Sequence, residues 1–239
     1  MKILDGKRIA LTRSPEGNRE WTRAIEEVGA TVLDWPCIET HLLDESRASF
    51  VQGYANCHWI AFTSARAVFG AIELAPELNL SAKRLACVGK QTAMALGAAG
   101  ISVELIASEA TAESLGRELI AKTSCEERIL ILSARDGRQE LPRLLQEYGH
   151  TYDEVALYKT TARASYAGSP LPSIDAVFFA SPSAVRGFAE NWSVPTRSRS
   201  ISIGPTTTEE LRATGIPVDA EAQDRDLQGM LNALASALQ

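Results

Sequence analysis

RIALTRSPEGNREWTRAIEEVGATV at residues 8–32 and RILILSARDGRQELPRLLQEYGHTY at 128–152 decide the fold when they are set against each other without gaps. Arg8, Ile9, Gly17, Glu20, Arg23, Glu27, Gly29 and Thr31 meet Arg128, Ile129, Gly137, Glu140, Arg143, Glu147, Gly149 and Thr151. Each copy reads as a short buried strand, a glycine-containing loop and an amphipathic helix. Trp21, Ile25 and Val28 share one helix face, and Leu141, Leu145 and Tyr148 share the other copy's. Gly29 and Gly149 stand where a helix C-cap belongs.

Two further pairs extend the duplication. LACVGKQTAMALGAAGISV at 85–103 faces SISIGPTTTEELRATGIPV at 200–218, matching Gly89 with Gly204, Thr92 with Thr207 and Gly100 with Gly215. WIAFTSARAV at 59–68 faces AVFFASPSAV at 176–185, where an apolar strand ends in Ser or Thr and enters a helix. Strands alternating with helices predict parallel sheets covered on both faces. The unit that opens the first half closes the second, so the halves are circularly permuted copies.

The fold class expected is therefore α/β, with two similar flavodoxin-like doubly wound parallel-sheet domains. Residues 1–34 plus 170–239 form one domain and 45–153 the other. Residues 35–44 and 154–169 hold connector strands and linkers, so the chain crosses twice. CIETHLL and VALYKTTA are expected to pair as a two-stranded connector about which the domains hinge around a ligand cleft.

The chain of 239 residues, with 45% hydrophobic and 23% charged side chains, is ordinary globular material. A net charge of −6 argues against nucleic acid or an anionic membrane as a bulk-charge partner. No stretch of roughly 18 apolar residues occurs, so no membrane span is expected. Met1 to Thr12 lacks the pattern of a signal peptide. Cys37, Cys57, Cys87 and Cys125 have no paired spacing, which suits reduced thiols in a cytoplasmic protein. His41, His58 and His150 show no ligand spacing, so no metal is expected.

In open α/β sheets, ligands bind beyond the carboxyl ends of the strands. The loops there are 12–18, 63–66, 89–92, 133–138, 181–183 and 204–208, all rich in hydroxyls beside helix starts. Such groups suit carboxylates or phosphates, whereas any one of them alone reads as a helix cap. Nucleotide fingerprints are missing: Arg84 stands where a P-loop's first glycine belongs, and no G-x-G-x-x-G follows a strand. Among the cations near these loops, Arg13, Arg135 and Arg138 are the best placed to chelate carboxylates.

The motifs LTR at 11–13, IAFTSARAV at 60–68, CVGKQTA at 87–93, SARDGRQEL at 133–141, VALYKT at 155–160, VFFASPSAV at 177–185 and IGPTTTEEL at 203–211 resemble, in this order and spacing, the uroporphyrinogen-III synthase family. The resemblance covers nearly the whole chain and implies cyclisation of hydroxymethylbilane, a linear tetrapyrrole with eight carboxylates, with inversion of the last ring and no cofactor. Function-linked family positions fall on Tyr158, Thr92, Thr63, Ser64, Ser181, Thr206 and Thr207. Tyr158 is the expected acid, and the others, with Arg13, Arg135 and Arg138, the expected substrate contacts. Alternation along V-A-L-Y-K-T places Ala156 and Tyr158 on one strand face. Transient contact with the preceding pathway enzyme stays open. So does the alternative of a non-catalytic cytosolic two-lobed sensor of a small polyanion.

Overall fold

The computed structural model describes residues 2–163 and 172–239. It divides into two compact units, Met1–Thr40 with Thr160–Gln239, and His41–Lys159.

Unit 1 begins with β1 (Arg8–Leu11), α1 (Pro15–Glu26) and β2 (Thr31–Asp34). After β3 (Ile38–Leu42) the chain builds unit 2 from α2 (Arg47–Asn56), β4 (Trp59–Phe62), α3 (Ala65–Leu74), β5 (Arg84–Cys87) and α4 (Lys90–Ala98). This unit continues through β6 (Leu105–Ile106), α5 (Ala112–Lys122), β7 (Ile129–Ala134), α6 (Glu140–Glu147) and β8 (Tyr152–Ala162). Unit 1 then resumes with β9 (Ala176–Phe179), α7 (Pro182–Ala189), β10 (Arg199–Ser202), α8 (Pro205–Ala213), β11 (Ala220–Glu221) and α9 (Leu227–Ala237).

The sheet of unit 1 runs β11-β10-β9-β1-β2, all parallel. Counted in chain order within the unit, this is the flavodoxin arrangement 2-1-3-4-5. The second sheet runs β3-β8-β7-β4-β5-β6. Replacing β1, β2, β9, β10 and β11 by their sequence repeats β7, β8, β4, β5 and β6 reproduces the same spatial order. The duplication read from sequence is thus a duplication of structure, entered at a different strand.

Both faces of each sheet are buried. In unit 1, Ile9, Leu11 and Phe178 meet Trp21 and Ile25 of α1 and Met230, Leu231 and Leu234 of α9 on one face. Ala10, Val177 and Phe179 meet Val185 and Phe188 of α7 and Leu211 of α8 on the other. In unit 2, Ile60, Phe62, Leu130 and Leu132 face α2 and α3, while Trp59, Ala61, Ile129 and Ile131 face α5 and α6. Each large apolar side chain so enclosed contributes about 1.5–3 kcal/mol. Gly29 and Gly149, at φ +85° and +76°, end α1 and α6 in the left-handed region expected of them. Tyr148, expected on the apolar face of α6, lies beyond the last helical residue and is exposed.

The connector differs from its expected form. Leu43 N–H donates to the Leu157 carbonyl and Arg163 N–H to the Cys37 carbonyl, so β3 lies antiparallel to β8. The pair does not stand alone, however, because β8 also pairs in parallel with β7. Unpaired backbone groups along a lone ribbon are satisfied by extending the neighbouring sheet. The stretch 164–169, also assigned to the connector, lies outside the described residues.

Helix α7 packs at backbone distance on the segment leading into β3, and a Cβ at Gly187 would overlap the Cys37 carbonyl oxygen. Gly187→Ala should therefore destabilise the protein by about 1–3 kcal/mol. Gly97 in α4 is exposed with nothing within 4 Å of an added Cβ, so Gly97→Ala should stabilise by about 0.4–1 kcal/mol. Urea midpoints of the two variants should move in opposite directions from the parent.

Candidate functional site

The loops at the carboxyl ends of the strands carry the expected residues. In unit 2, β4 runs into Thr63 and Ser64. Thr63 donates its hydroxyl to the Leu132 carbonyl at 3.1 Å, which ties the end of β4 to β7. Ser64 adopts φ −165°, ψ 158° and accepts the Ala67 N–H at 3.1 Å, capping α3. In unit 1, Ser181 repeats this at φ −165°, ψ 156°, accepting the Ala184 N–H at 3.2 Å at the start of α7.

Tyr158 reaches the same loops by a route that alternation misplaces. Ser133 pairs with Ala156, but Ala134 pairs with Tyr158, so Leu157 is an extra residue in β8. This β-bulge resets the parity of the strand. Tyr158 consequently leaves the face of Ala156 and joins Val155 and Leu157 against the core beneath α3. Its hydroxyl stands 2.9 Å from that of Ser64. Its carbonyl accepts the Arg135 N–H at 2.8 Å, fixing the bulge to the end of β7. Burial pushes the phenol above its ordinary value, and the Ser64 hydrogen bond and the Arg66 charge only partly oppose this. The group is a neutral donor at physiological pH.

Thr92 and Thr207 occupy equivalent places in the first turns of α4 and α8, each following a glycine N-cap. They are 4% and 1% exposed, yet among the described residues no hydrogen bond engages either hydroxyl. Their neighbour Thr208 shows the contrast, since its hydroxyl lies 2.6 Å from that of Ser202 and also donates to Glu221. Thr206 is exposed.

The arginines are more deeply committed than sequence suggested. Arg13 donates to the Gly17 carbonyl at 2.7 Å and to Glu20 at 3.3 Å, and its guanidinium lies 4.1 Å from the centre of the Trp21 ring. Arg135 pairs with Glu45, whose carboxyl is held below its ordinary range first by its own backbone N–H and then by that arginine. Arg138 is exposed in the loop before α6.

Sequence reasoning missed three supporting residues. Asn18, fully buried, accepts the Arg13 N–H at 3.0 Å and donates to the Leu11 carbonyl at 2.9 Å and to Asp34 at 2.6 Å, holding the loop after β1. A polar residue in the first turn of an otherwise ordinary amphipathic helix was its only signal. Glu45 and the bulged Leu157 had none, because each depends on a partner some 90 residues or one strand away.

Two permuted copies of a doubly wound α/β unit, with hydroxyls and a tyrosine at their strand ends, define the class of protein. The chain belongs to the uroporphyrinogen-III synthase family: the family model described as uroporphyrinogen-III synthase HemD matches residues 19–232. A uroporphyrinogen-III synthase of Synechococcus elongatus is 26% identical, the match covering 97% of this chain and 95% of that protein. One of Chlorobaculum parvum is 25% identical, with 97% and 99% covered. In fold, the chain resembles the crystal structure of uroporphyrinogen-III synthetase from Helicobacter pylori, at a TM-score of 0.66 and 19% identity over 98% of this chain and all of that one. A mutant uroporphyrinogen III synthase from Thermus thermophilus gives a TM-score of 0.64 at 19% identity, over 98% and 99% of the two chains.

The raised phenol of Tyr158 has a consequence for stability at alkaline pH. A folded-state value above the unfolded one gives a contribution that is complete below about pH 10 and lost as pH rises through the folded value. Stability of the parent should thus fall more steeply above pH 10 than that of Tyr158→Phe. Urea unfolding of both proteins between pH 8 and 11 measures the difference, and parallel curves would contradict the burial of this hydroxyl.

Proposed function

We infer that the chain catalyses the reaction of its family, cyclising hydroxymethylbilane to uroporphyrinogen III with inversion of the terminal ring and loss of water. Tyr158 is the acid in this reading. Its phenol donates a proton to the terminal hydroxyl as the carbon–oxygen bond breaks, with the bonding pair leaving on oxygen, so water departs and an azafulvene cation remains. The terminal ring attacks this cation through its substituted carbon to give a spiro intermediate, which rearranges and closes. The proton shed when the last pyrrole regains aromaticity restores the phenol, and the balance is loss of one water.

An electron-rich pyrrole supplies most of the reactivity, so the protein's part is to position the chain for ring inversion. The substrate's carboxylates are met by neutral donors at the strand ends of each unit. Thr92 and Thr207 lead this set because their hydroxyls have no partner among the described residues. Ser181 accepts the Ala184 N–H and keeps its proton for a carboxylate, whereas Thr63 gives its proton to the Leu132 carbonyl and Ser64 meets Tyr158, so these two serve the site by holding its loop and its phenol. Arg13, Arg135, Arg138 and the exposed Thr206 supply outer contacts. The observation that carries the assignment of the acid is the half-buried Tyr158 phenol beside Ser64 at the carboxyl end of β4.

No helix among the described residues is long and apolar enough to cross a membrane. A cytoplasmic setting is supported by thiols that are free at Cys37, Cys57, Cys87 and Cys125. The partner is the tetrapyrrole itself, with neither nucleic acid nor membrane in the reading. Transfer of an unstable linear substrate favours a transient meeting with the enzyme that makes it.

Freshly prepared hydroxymethylbilane, with chromatographic separation of type III from type I porphyrinogen, tests the reaction. Type I alone, at the spontaneous rate, would favour a non-catalytic sensor. Tyr158→Phe should lower type III turnover about 10²-fold while changing melting temperature little. Thr92→Ala and Thr207→Ala should each weaken catalysis by about 0.5–1.5 kcal/mol, a partial loss, because several donors share the carboxylates.

A further inference from the structure

We propose that Ser64 is a positioning residue for Tyr158: its hydroxyl donates to the phenolic oxygen and turns the phenol's own O–H towards the ligand. This rests on the reading of Tyr158 as the acid.

A serine hydroxyl has one proton and two lone pairs. One lone pair of Ser64 is taken by the Ala67 N–H at the start of α3, which leaves the proton in need of an acceptor. The phenolic oxygen, 2.9 Å away, is that acceptor. The reverse polarity would lock the acid's proton against the cap and withhold it from substrate. Donation from Ser64 also gains strength as the phenolic oxygen becomes negative during proton transfer, and the Arg66 charge and the amino end of α3 act in the same direction.

Capping alone does not require this contact. Ser181 caps α7 with nearly the same backbone angles and N–H bond, in a unit whose counterpart of β8 is the four-residue β2 of sequence TVLD, with no tyrosine. Ser64 therefore performs the shared cap and a second task found in one copy only. The bulge at Leu157 is what builds that task. In unbroken alternation Tyr158 would share the face of Ala156, away from α3.

The test is a double-mutant cycle read as type III formation from hydroxymethylbilane, with Ser64→Ala, Ser64→Thr, Tyr158→Phe and Ser64→Ala/Tyr158→Phe. Ser64→Ala should lower kcat about 10- to 100-fold with KM nearly unchanged, and Ser64→Thr, which keeps the hydroxyl and the cap, should restore most of it. In the Tyr158→Phe background, Ser64→Ala should cost nothing further. Ultraviolet difference titration against the matching Phe variant should show the Tyr158 phenol ionising at higher pH in Ser64→Ala. Thr111→Ala removes the N-cap of α5 and serves as the stability control, lowering melting temperature without moving kcat. Independent, additive losses in the double variant, a raised KM, or an unmoved phenol titration would each overturn the positioning role. If Ser64→Ala keeps full kcat while Tyr158→Phe loses it, only the positioning fails. Full turnover by Tyr158→Phe would instead remove the acid, and the inference with it.

Discussion

Burial of both faces of each parallel sheet governs where everything else in this protein sits. Ile9, Leu11 and Phe178 on one face of the first sheet, and Ala10, Val177 and Phe179 on the other, make a polar side chain without a partner costly in the interior. Polar chemistry is pushed to the strand ends, where helix N-termini offer free N–H groups and loops can hold hydroxyls. The same pressure joins β3 and β8 to the second sheet, because a parallel edge at β7 would otherwise present an unpaired ladder.

At those strand ends the hydroxyls divide into two kinds. Thr63, Ser64, Ser181 and Thr208 spend hydrogen-bonding capacity on building the loops, binding a neighbouring strand, capping a helix or closing a small network with Ser202 and Glu221. Thr92 and Thr207 are buried residues whose hydroxyls have no hydrogen-bond partner among the described residues. Neither oxygen is among the buried polar atoms left without a partner, so each residue is enclosed while its hydroxyl keeps a path to the surface, at the same position in both copies. Arg13 shows the opposite arrangement. Stacked on Trp21 and held by Gly17 and Glu20, its cation is largely absorbed by the helix that follows it.

Duplication supplied a scaffold, and divergence made one copy chemically distinct. β2 is four residues long, whereas β8 runs for eleven and carries a bulge. The added length lets β8 pair with both β7 and β3, and the added residue brings Tyr158 over to the side of α3. Arg135 N–H clamps the bulge from the backbone and Ser64 meets the phenol from the side. A tyrosine held at its backbone carbonyl and at its hydroxyl, beside a capped helix, is better ordered than one on a mobile loop.

The sequence by itself determined the repeat, its permutation, the strand–loop–helix grammar and the family, because each rests on local periodicity, caps and motif order. Gly29, Gly149, Ser64 and Ser181 could be placed from near neighbours alone. Tertiary structure decided which side of the sheet Tyr158 occupies, that Ser64 touches it, that Glu45 claims Arg135, and which threonines remain unpaired. Two-residue alternation holds along an uninterrupted strand, and the extra residue at Leu157 appears only when β8 is set against β7. A hydroxyl's availability is likewise a property of what surrounds it in space. The identity of a side chain is written locally, but its hydrogen-bond partner is supplied from elsewhere in the chain, in the case of Ser64 and Tyr158 from 94 positions away.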